Sequence, residues 1–193
     1  MIHKVLIDIN DVSQYEYERE YTMLCEEKCR RVEKLRLEDD KKRALAANIA
    51  ARRAVSDFLG VDADKVEITY ADCGKPICDG CFISLSHSGD FAVCAVSDSP
   101  VGVDIEKLSR NINLELSDKI CVNLSELTFA CNTERLIELW SVKEACFKAL
   151  SPKCKTLSEI KLTVHDADFT CEGISHIKTE KLYEKYIFSL AIV

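Results

Sequence analysis

The chain sets out the same order of elements twice, and this repetition limits the folds open to it more than any other feature. An Ala-rich segment from about Lys41 to Leu59 carries no Pro or Gly and reads as a helix. It is followed by strand-like Val66 to Tyr70, a Gly/Pro loop, and strand-like Phe91 to Val96. The order returns in the later half, with a helix from Glu134 to Leu150, a strand from Ile160 to Val164 and a closing strand from Ile187 to Val193. A further strand-like segment opens the chain and ends near Asp8. Two similar α+β halves, joined near Ser97-Asp98-Ser99-Pro100, are expected.

Two acidic segments of the second half stand out. In Val101-Gly102-Val103-Asp104-Ile105-Glu106 the carboxylates are two apart in an apolar, β-branched setting, so on a strand they leave the same face. In Trp140-Ser141-Val142-Lys143-Glu144-Ala145-Cys146-Phe147-Lys148, Glu144 and Lys148 are four apart and so neighbours on one helical face. Three carboxylates suit Mg²⁺, which prefers oxygen and shares its shell with water and substrate phosphates; the nearby Lys suggests a phosphate. Taken singly, the first segment is equally at home as a solvated strand edge, and the second as a surface ion-pair ladder.

Together these segments resemble the paired signature of the phosphopantetheinyl transferases, G-(I/V)-D-(I/V)-E and W-x-x-K-E-(A/S)-x-x-K, at every defining position. Ile83-Ser84-Leu85-Ser86-His87-Ser88-Gly89 is similar to that family's S-(L/I)-S-H-S motif, and Gly74-Lys75-Pro76 to its G-K-P loop. The order and spacing agree from about Arg43 to Lys148, and the chain length resembles the Sfp-type branch rather than the roughly half-length trimeric synthases. The resemblance implies an α+β fold with a pseudo-twofold pair of subdomains, each a small antiparallel sheet packed with a long helix. Residues 1–99 would form the coenzyme A 3′-phosphate and adenine side and residues 100–193 the metal and catalytic side, with the active site at their interface.

The resemblance also implies a reaction. The serine hydroxyl of an apo acyl, peptidyl or aryl carrier protein attacks the β-phosphate of coenzyme A, and 3′,5′-adenosine diphosphate leaves. Mg²⁺, for which Mn²⁺ may substitute, would be held by Asp104, Glu106 and Glu144. Lys148 and Lys143 would contact phosphate oxygens. Arg43, in a helix that also carries Asp40 and Arg52 at the family's spacing, would hold the 3′-phosphate with His87, since guanidinium and imidazole both donate charge-assisted hydrogen bonds. Lys75, Pro76 and Ser86 complete the coenzyme A contacts, with Asp104 also facing the coenzyme through the metal. Glu126, Glu144 and Lys148 are the expected catalytic groups. Glu126 is the leading general base because it falls where the family has an F-(S/T)-x-x-E-type segment, although Cys121-Val122 replace the aromatic residues common there.

Composition sets limits. The 193 residues carry 33 acidic and 26 basic side chains for a formal net charge of -7, and no Lys/Arg run exceeds three, which argues against a nucleic-acid partner. No apolar run approaches the roughly 18 residues of a membrane span, and Met1-Ile2-His3-Lys4-Val5 leads straight into a strand-like segment, so a soluble cytoplasmic protein away from membranes is expected; the Sfp-type resemblance implies a monomer. The acidity common to carrier proteins makes the basic amino-terminal helices, or the segment from Arg110 to Lys119, candidate docking surfaces. Eleven scattered cysteines without a leader segment suggest reduced thiols rather than a disulfide framework. The cluster Cys73, Cys78 and Cys81 with His87 leaves open a second reading, a small zinc-binding module. A third is a catalytically inactive relative, which would require the loss of a ligand or a lysine; none is lost.

Overall fold

Alanine is the reason the first long helix sits where it does. In the helix from Glu38 to Leu59, Ala46, Ala47, Ala50, Ala51 and Ala54 are all buried, and their short side chains let the backbone come down onto a sheet. The structure is a computed structural model and describes residues 1–109, 112 and 114–193. It divides into two units, Met1–Ser99 and Pro100–Val193.

In the N-terminal unit, strand β1 (Ile2–Asp8) leads through a short 3₁₀ turn to helices α1 (Gln14–Met23), α2 (Glu26–Glu33) and α3 (Glu38–Leu59). Ser13 and Glu16 form a reciprocal capping box that starts α1, and Gly60, at φ +68°, ends α3 in the left-handed conformation. A small hairpin, β2 (Thr69–Tyr70) with β3 (Pro76–Ile77), precedes β4 (Phe82–Ser88) and β5 (Phe91–Ser97). The sheet order is β1-β5-β4, antiparallel throughout, with Val5 and Leu85 both opposite Cys94. Its central strand is buried from Ala92 to Ser97, as a continuous apolar run should be. The core joins Ile83, Ala92, Cys94 and Val96 to the alanine face of α3.

The expected strand over Val66 to Tyr70 shrinks to Thr69–Tyr70, after a 3₁₀ turn at Ala63–Lys65. Val66 and Ile68 are nonetheless buried in the α3 core, so their apolar character reports burial and not a ladder. The expected strand over Ile160 to Val164 likewise begins only at Leu162, although Ile160 is fully buried.

The C-terminal unit repeats the plan with β6 (Val101–Lys107), short helices α4 (Ser117–Ile120) and α5 (Leu124–Phe129), long helix α6 (Thr133–Leu150), hairpin β7 (Leu162–His165) with β8 (Asp168–Cys171), then β9 (His176–Leu182) and β10 (Tyr186–Ile192). Asn123 and Asn132 cap α5 and α6 by accepting from the backbone N–H groups of Glu126 and Arg135. The antiparallel order β6-β10-β9 places Ser189 opposite Asp104 and Ile187 opposite Glu106. Leu136, Leu139, Val142, Ala145, Cys146 and Ala149 of α6 form the core with Ile120, Ile160, Leu162, Phe169 and Ala191. Each unit is thus a three-stranded antiparallel sheet with one long helix, an α+β fold.

Gly102 fixes the distance between α6 and β6. A Cβ built there would lie 1.8 Å from the Ala145 carbonyl oxygen and 2.6 Å from the Ala149 nitrogen, both backbone atoms with nowhere to move. We expect Gly102→Ala to force the helix off the strand and to lower the unfolding free energy by about 1–3 kcal/mol or more. Gly60→Ala, strained only by its positive φ with nothing within 4 Å, should lose about 1 kcal/mol. Urea unfolding of the two variants checks this, and equal losses would contradict the close approach.

Candidate active site

Strand alternation turns the Gly102 contact into a statement about chemistry. Gly102 faces α6, so Asp104 and Glu106, two and four residues on, project to that same face. Both are buried, at 4% and 8% exposure, which no pair of carboxylates tolerates without partners. Lys148 supplies one, its Nζ donating to Asp104 Oδ1 at 2.8 Å and to the Val103 carbonyl at 3.0 Å. Trp140 supplies the other, its indole Nε1 donating to Glu106 Oε1 at 3.1 Å.

Trp140, Glu144 and Lys148 follow one another at four-residue steps and share one face of α6. Glu144, half-buried, stands between the two residues that grip the strand carboxylates. Three carboxylates against one ammonium leave two formal negative charges, which a single divalent cation balances. The donor set is all hard oxygen, and Mg²⁺ is commonly held by one or two carboxylates with phosphates and water completing its shell. Among the described residues no group of three His, Cys, Asp or Glu side chains is drawn together around one point. Asp104 and Glu106 share one face of β6, and Glu144 lies on the face of α6 that carries their partners Trp140 and Lys148.

Two of the expected reactive groups are placed elsewhere. Glu126 and Lys143 are both 0% exposed and pair with each other at 2.8 Å. Glu126 also accepts from the backbone N–H groups of Val122 and Leu162, each at 2.7 Å, while Lys143 donates to the carbonyls of Ile120 at 2.6 Å and Ile160 at 2.7 Å. A general base must reach a substrate hydroxyl, and a phosphate-binding lysine must reach a phosphate. Glu126 and Lys143, sealed in the core with their hydrogen-bonding capacity used, do neither here. Their work is to tie α6 to the chain ends of α4, α5 and β7. The structure thus places both of these expected site residues in the core of the C-terminal unit, paired with each other.

In the N-terminal unit, Arg43 donates to Asp40 Oδ1 at 2.6 Å and to the Gly89 carbonyl at 3.2 Å. The second bond joins α3 to the turn that follows Ser86, His87 and Ser88. His87 is exposed and, by alternation, shares a β4 face with Ile83 and Leu85, which pack on the α3 core. Arg43 and His87 therefore stand at one end of the same helix-on-sheet layer. Arg52, by contrast, is buried against Glu20 at 3.0 Å and bonds the Val66 carbonyl, a core tie.

Beside Lys75, the β2–β3 hairpin gathers two cations that the sequence did not single out, Lys28 and Arg31. Lys28 lies over the Tyr70 ring at 4.8 Å, and burial lowers its pKa. Arg31, paired with Glu27, donates to the Asp72 carbonyl at 3.2 Å and lies against Gly74. Tyr70 and Pro76 are register partners, so Lys75 belongs to the same hairpin, and its pKa too is lowered by burial. Two desolvated ammonium groups around one loop suit an anion. Lys28 and Arg31 lie in α2, in a charge-dense stretch that reads equally well as a solvated face.

Cys73 is exposed, Cys78 and Cys81 are half-buried, and these with His87 do not converge as a metal site among the described residues. Arg110 of the suggested docking segment lies outside the described residues. Among the described residues no helix is long and apolar enough to cross a membrane.

Residues 11–99 match the family model for the N-terminal region of 4′-phosphopantetheinyl transferases, and residues 100–190 match that of the 4′-phosphopantetheinyl transferase superfamily. The chain belongs to this superfamily. It is 29% identical over 146 residues to the 4′-phosphopantetheinyl transferase Sfp of Bacillus subtilis, covering 71% of this chain and 64% of that protein. It is 27% identical over 117 residues to the 4′-phosphopantetheinyl transferase gsp of Aneurinibacillus migulanus, covering 58% of this chain and 49% of that one. The chain thus spans between about half and two thirds of these transferases. A holo-(acyl-carrier-protein) synthase from Bacillus anthracis, solved in complex with CoA (3′,5′-ADP), superposes with a TM-score of 0.41 at 24% identity over 49% of this chain and 91% of that chain.

Removing one partner of a buried ion pair strands the other. Glu126→Gln and Lys143→Met should each cost about 3–5 kcal/mol of stability, and the double variant should recover part of that loss. Chemical denaturation of the three proteins checks it; single variants as stable as the wild type would return these residues to a chemical role.

Proposed function

We propose that this protein transfers the 4′-phosphopantetheine group of coenzyme A to a serine of an apo acyl, peptidyl or aryl carrier protein, releasing 3′,5′-ADP in a Mg²⁺-dependent reaction. The observation that carries this reading is the buried pair Asp104 and Glu106 on β6, gripped by Lys148 and Trp140 of the same helix. Membership of the transferase superfamily supports it.

Asp104 and Glu106, joined by Glu144, are the residues that would hold Mg²⁺ or Mn²⁺. When bound there, the ion neutralises pyrophosphate charge and eases departure of the leaving phosphate. Lys148, 27% exposed at its side chain, would contact a phosphate oxygen from its place on α6 beside Asp104. Trp140 fixes the orientation of the Glu106 carboxylate by its indole hydrogen bond. The serine proton has to leave through a group within reach of the substrate, which Glu126 is not; half-buried Glu144 takes that part.

The coenzyme's own anions call for cations, and the N-terminal unit provides them. Arg43 and His87 hold the 3′-phosphate, and Lys75, with Pro76 and Ser86, adds contacts from the hairpin and β4. Lys28 and Arg31 extend this set. The carrier docks by charge, its acidic surface meeting basic residues of the amino-terminal helices. The protein works as a cytoplasmic monomer.

Mass spectrometry of apo-carriers incubated with coenzyme A and Mg²⁺ tests the reaction. One phosphopantetheine mass should appear on the serine, vanish with chelator and return with Mg²⁺ or Mn²⁺; full activity in excess chelator would remove the metal from the account. Asp104→Asn and Glu106→Gln should lower turnover by orders of magnitude with little loss of folding, because each keeps volume and most hydrogen bonds. Arg43→Ala and His87→Ala should weaken binding of coenzyme A far more than of 3′-dephospho-coenzyme A, as titration calorimetry would show. Equal losses for the two ligands would assign these residues to the fold instead.

A further inference from the structure

The proposed reaction leaves the Cys-x-x-Cys of the N-terminal unit unused. Cys78 and Cys81 flank the turn Asp79-Gly80, with Gly80 at φ +82°, and are antiparallel bridge partners across it. Antiparallel partners hold their Cα atoms about 4.5–5.5 Å apart, within the roughly 4.4–6.8 Å that a disulfide spans. The Cys78 S–H donates to the Asp79 carbonyl at 3.7 Å, within the turn that brings the two cysteines opposite each other. Both are half-buried and packed against the α3 core, whereas Cys73 is exposed between β2 and β3. All eleven thiols are free.

We propose that Cys78 and Cys81 are an oxidisable dithiol, closed to a disulfide by small-molecule disulfides such as oxidised glutathione and reopened by thiols. The Cys78 thiolate attacks one sulfur of the oxidant and expels one equivalent of small thiol. Cys81 then loses its proton, attacks the Cys78 sulfur of the mixed disulfide and expels the second equivalent. The protein gives up two hydrogens and the oxidant becomes two thiols. Burial raises both thiols, Cys81 to about 12, so the reaction is slow at neutral pH and quickens as pH rises toward those values. The turn joins β3, which follows Lys75, to β4, which carries Ser86 and His87. Closing it locks the backbone between β3 and β4 and removes the freedom of the segment beside Lys75 to adjust to a ligand; on the coenzyme A reading given above, affinity for coenzyme A falls.

The folded protein is incubated with oxidised glutathione at neutral and at alkaline pH, blocked with iodoacetamide and mapped by peptide mass spectrometry. The peptide holding Cys78 and Cys81 should appear unalkylated and two hydrogens lighter, sooner at alkaline pH, and return to the dithiol with dithiothreitol. Cys81→Ser should stop at a glutathione mixed disulfide on Cys78. The proposal is overturned if Cys78 and Cys81 stay alkylatable while other thiols oxidise, or if Cys78 pairs with Cys73. Coenzyme A titrated into both forms should bind several-fold more weakly to the disulfide. Equal affinity would overturn the linkage, and no binding by either form would count against the coenzyme A reading while leaving the dithiol in place.

Discussion

The approach of α6 to β6 across Gly102 is the contact from which the rest of the C-terminal unit takes its geometry. With no Cβ at Gly102, the helix backbone at Ala145 and Ala149 lies directly on the strand. Alternation then sends Asp104 and Glu106 to the helix side, and four-residue steps along α6 present Trp140, Glu144 and Lys148 to the same region. A half-turn rotation of α6, or one residue of slip in β6, would aim these carboxylates elsewhere. Chemistry and packing are therefore not divided residue by residue: Trp140 packs on the core and also holds Glu106 by its indole.

Adjacent residues on α6 have opposite fates, and burial decides which. Lys143 points into the core and spends its charge on Glu126 and two carbonyls; Glu144, one residue on, stays half-buried. A buried ion pair of this kind contributes little net stability compared with an apolar pair of similar volume, yet it is costly to break. Its use here is specific: it fixes where the loops after α4 and before β7 meet the helix, and so the rotation of α6 about its own axis.

The long elements were legible in the sequence because each carries a strong single period. α3 and α6 lack internal Gly and Pro, and the start of β1 and most of β10 follow apolar runs. Short pieces were not: Val66 and Ile68 have strand-like side chains but serve burial beside a 3₁₀ turn, since composition alone does not separate a ladder from a covered loop. The Asp104 and Glu106 pair was visible from spacing on a strand. What spacing could not give was depth. Lys143 and Glu126 occupy motif positions that suggest contact with substrate, and only the three-dimensional packing shows them sealed. No sequence pattern pairs the Trp140 indole N–H with a carboxylate thirty-four positions away. Lys28 and Arg31 were lost among other charges because their meaning depends on a hairpin more than forty residues later.

The central claim is that Asp104 and Glu106, framed by α6, form a divalent-cation site completed by the coenzyme's phosphates. Electron paramagnetic resonance of Mn²⁺ titrated into the protein with and without coenzyme A tests this most directly. The account predicts Mn²⁺ binding that tightens markedly when coenzyme A is present and is lost in Asp104→Asn and Glu106→Gln proteins that remain folded. Coenzyme A-linked Mn²⁺ binding that survives in both variants would contradict it.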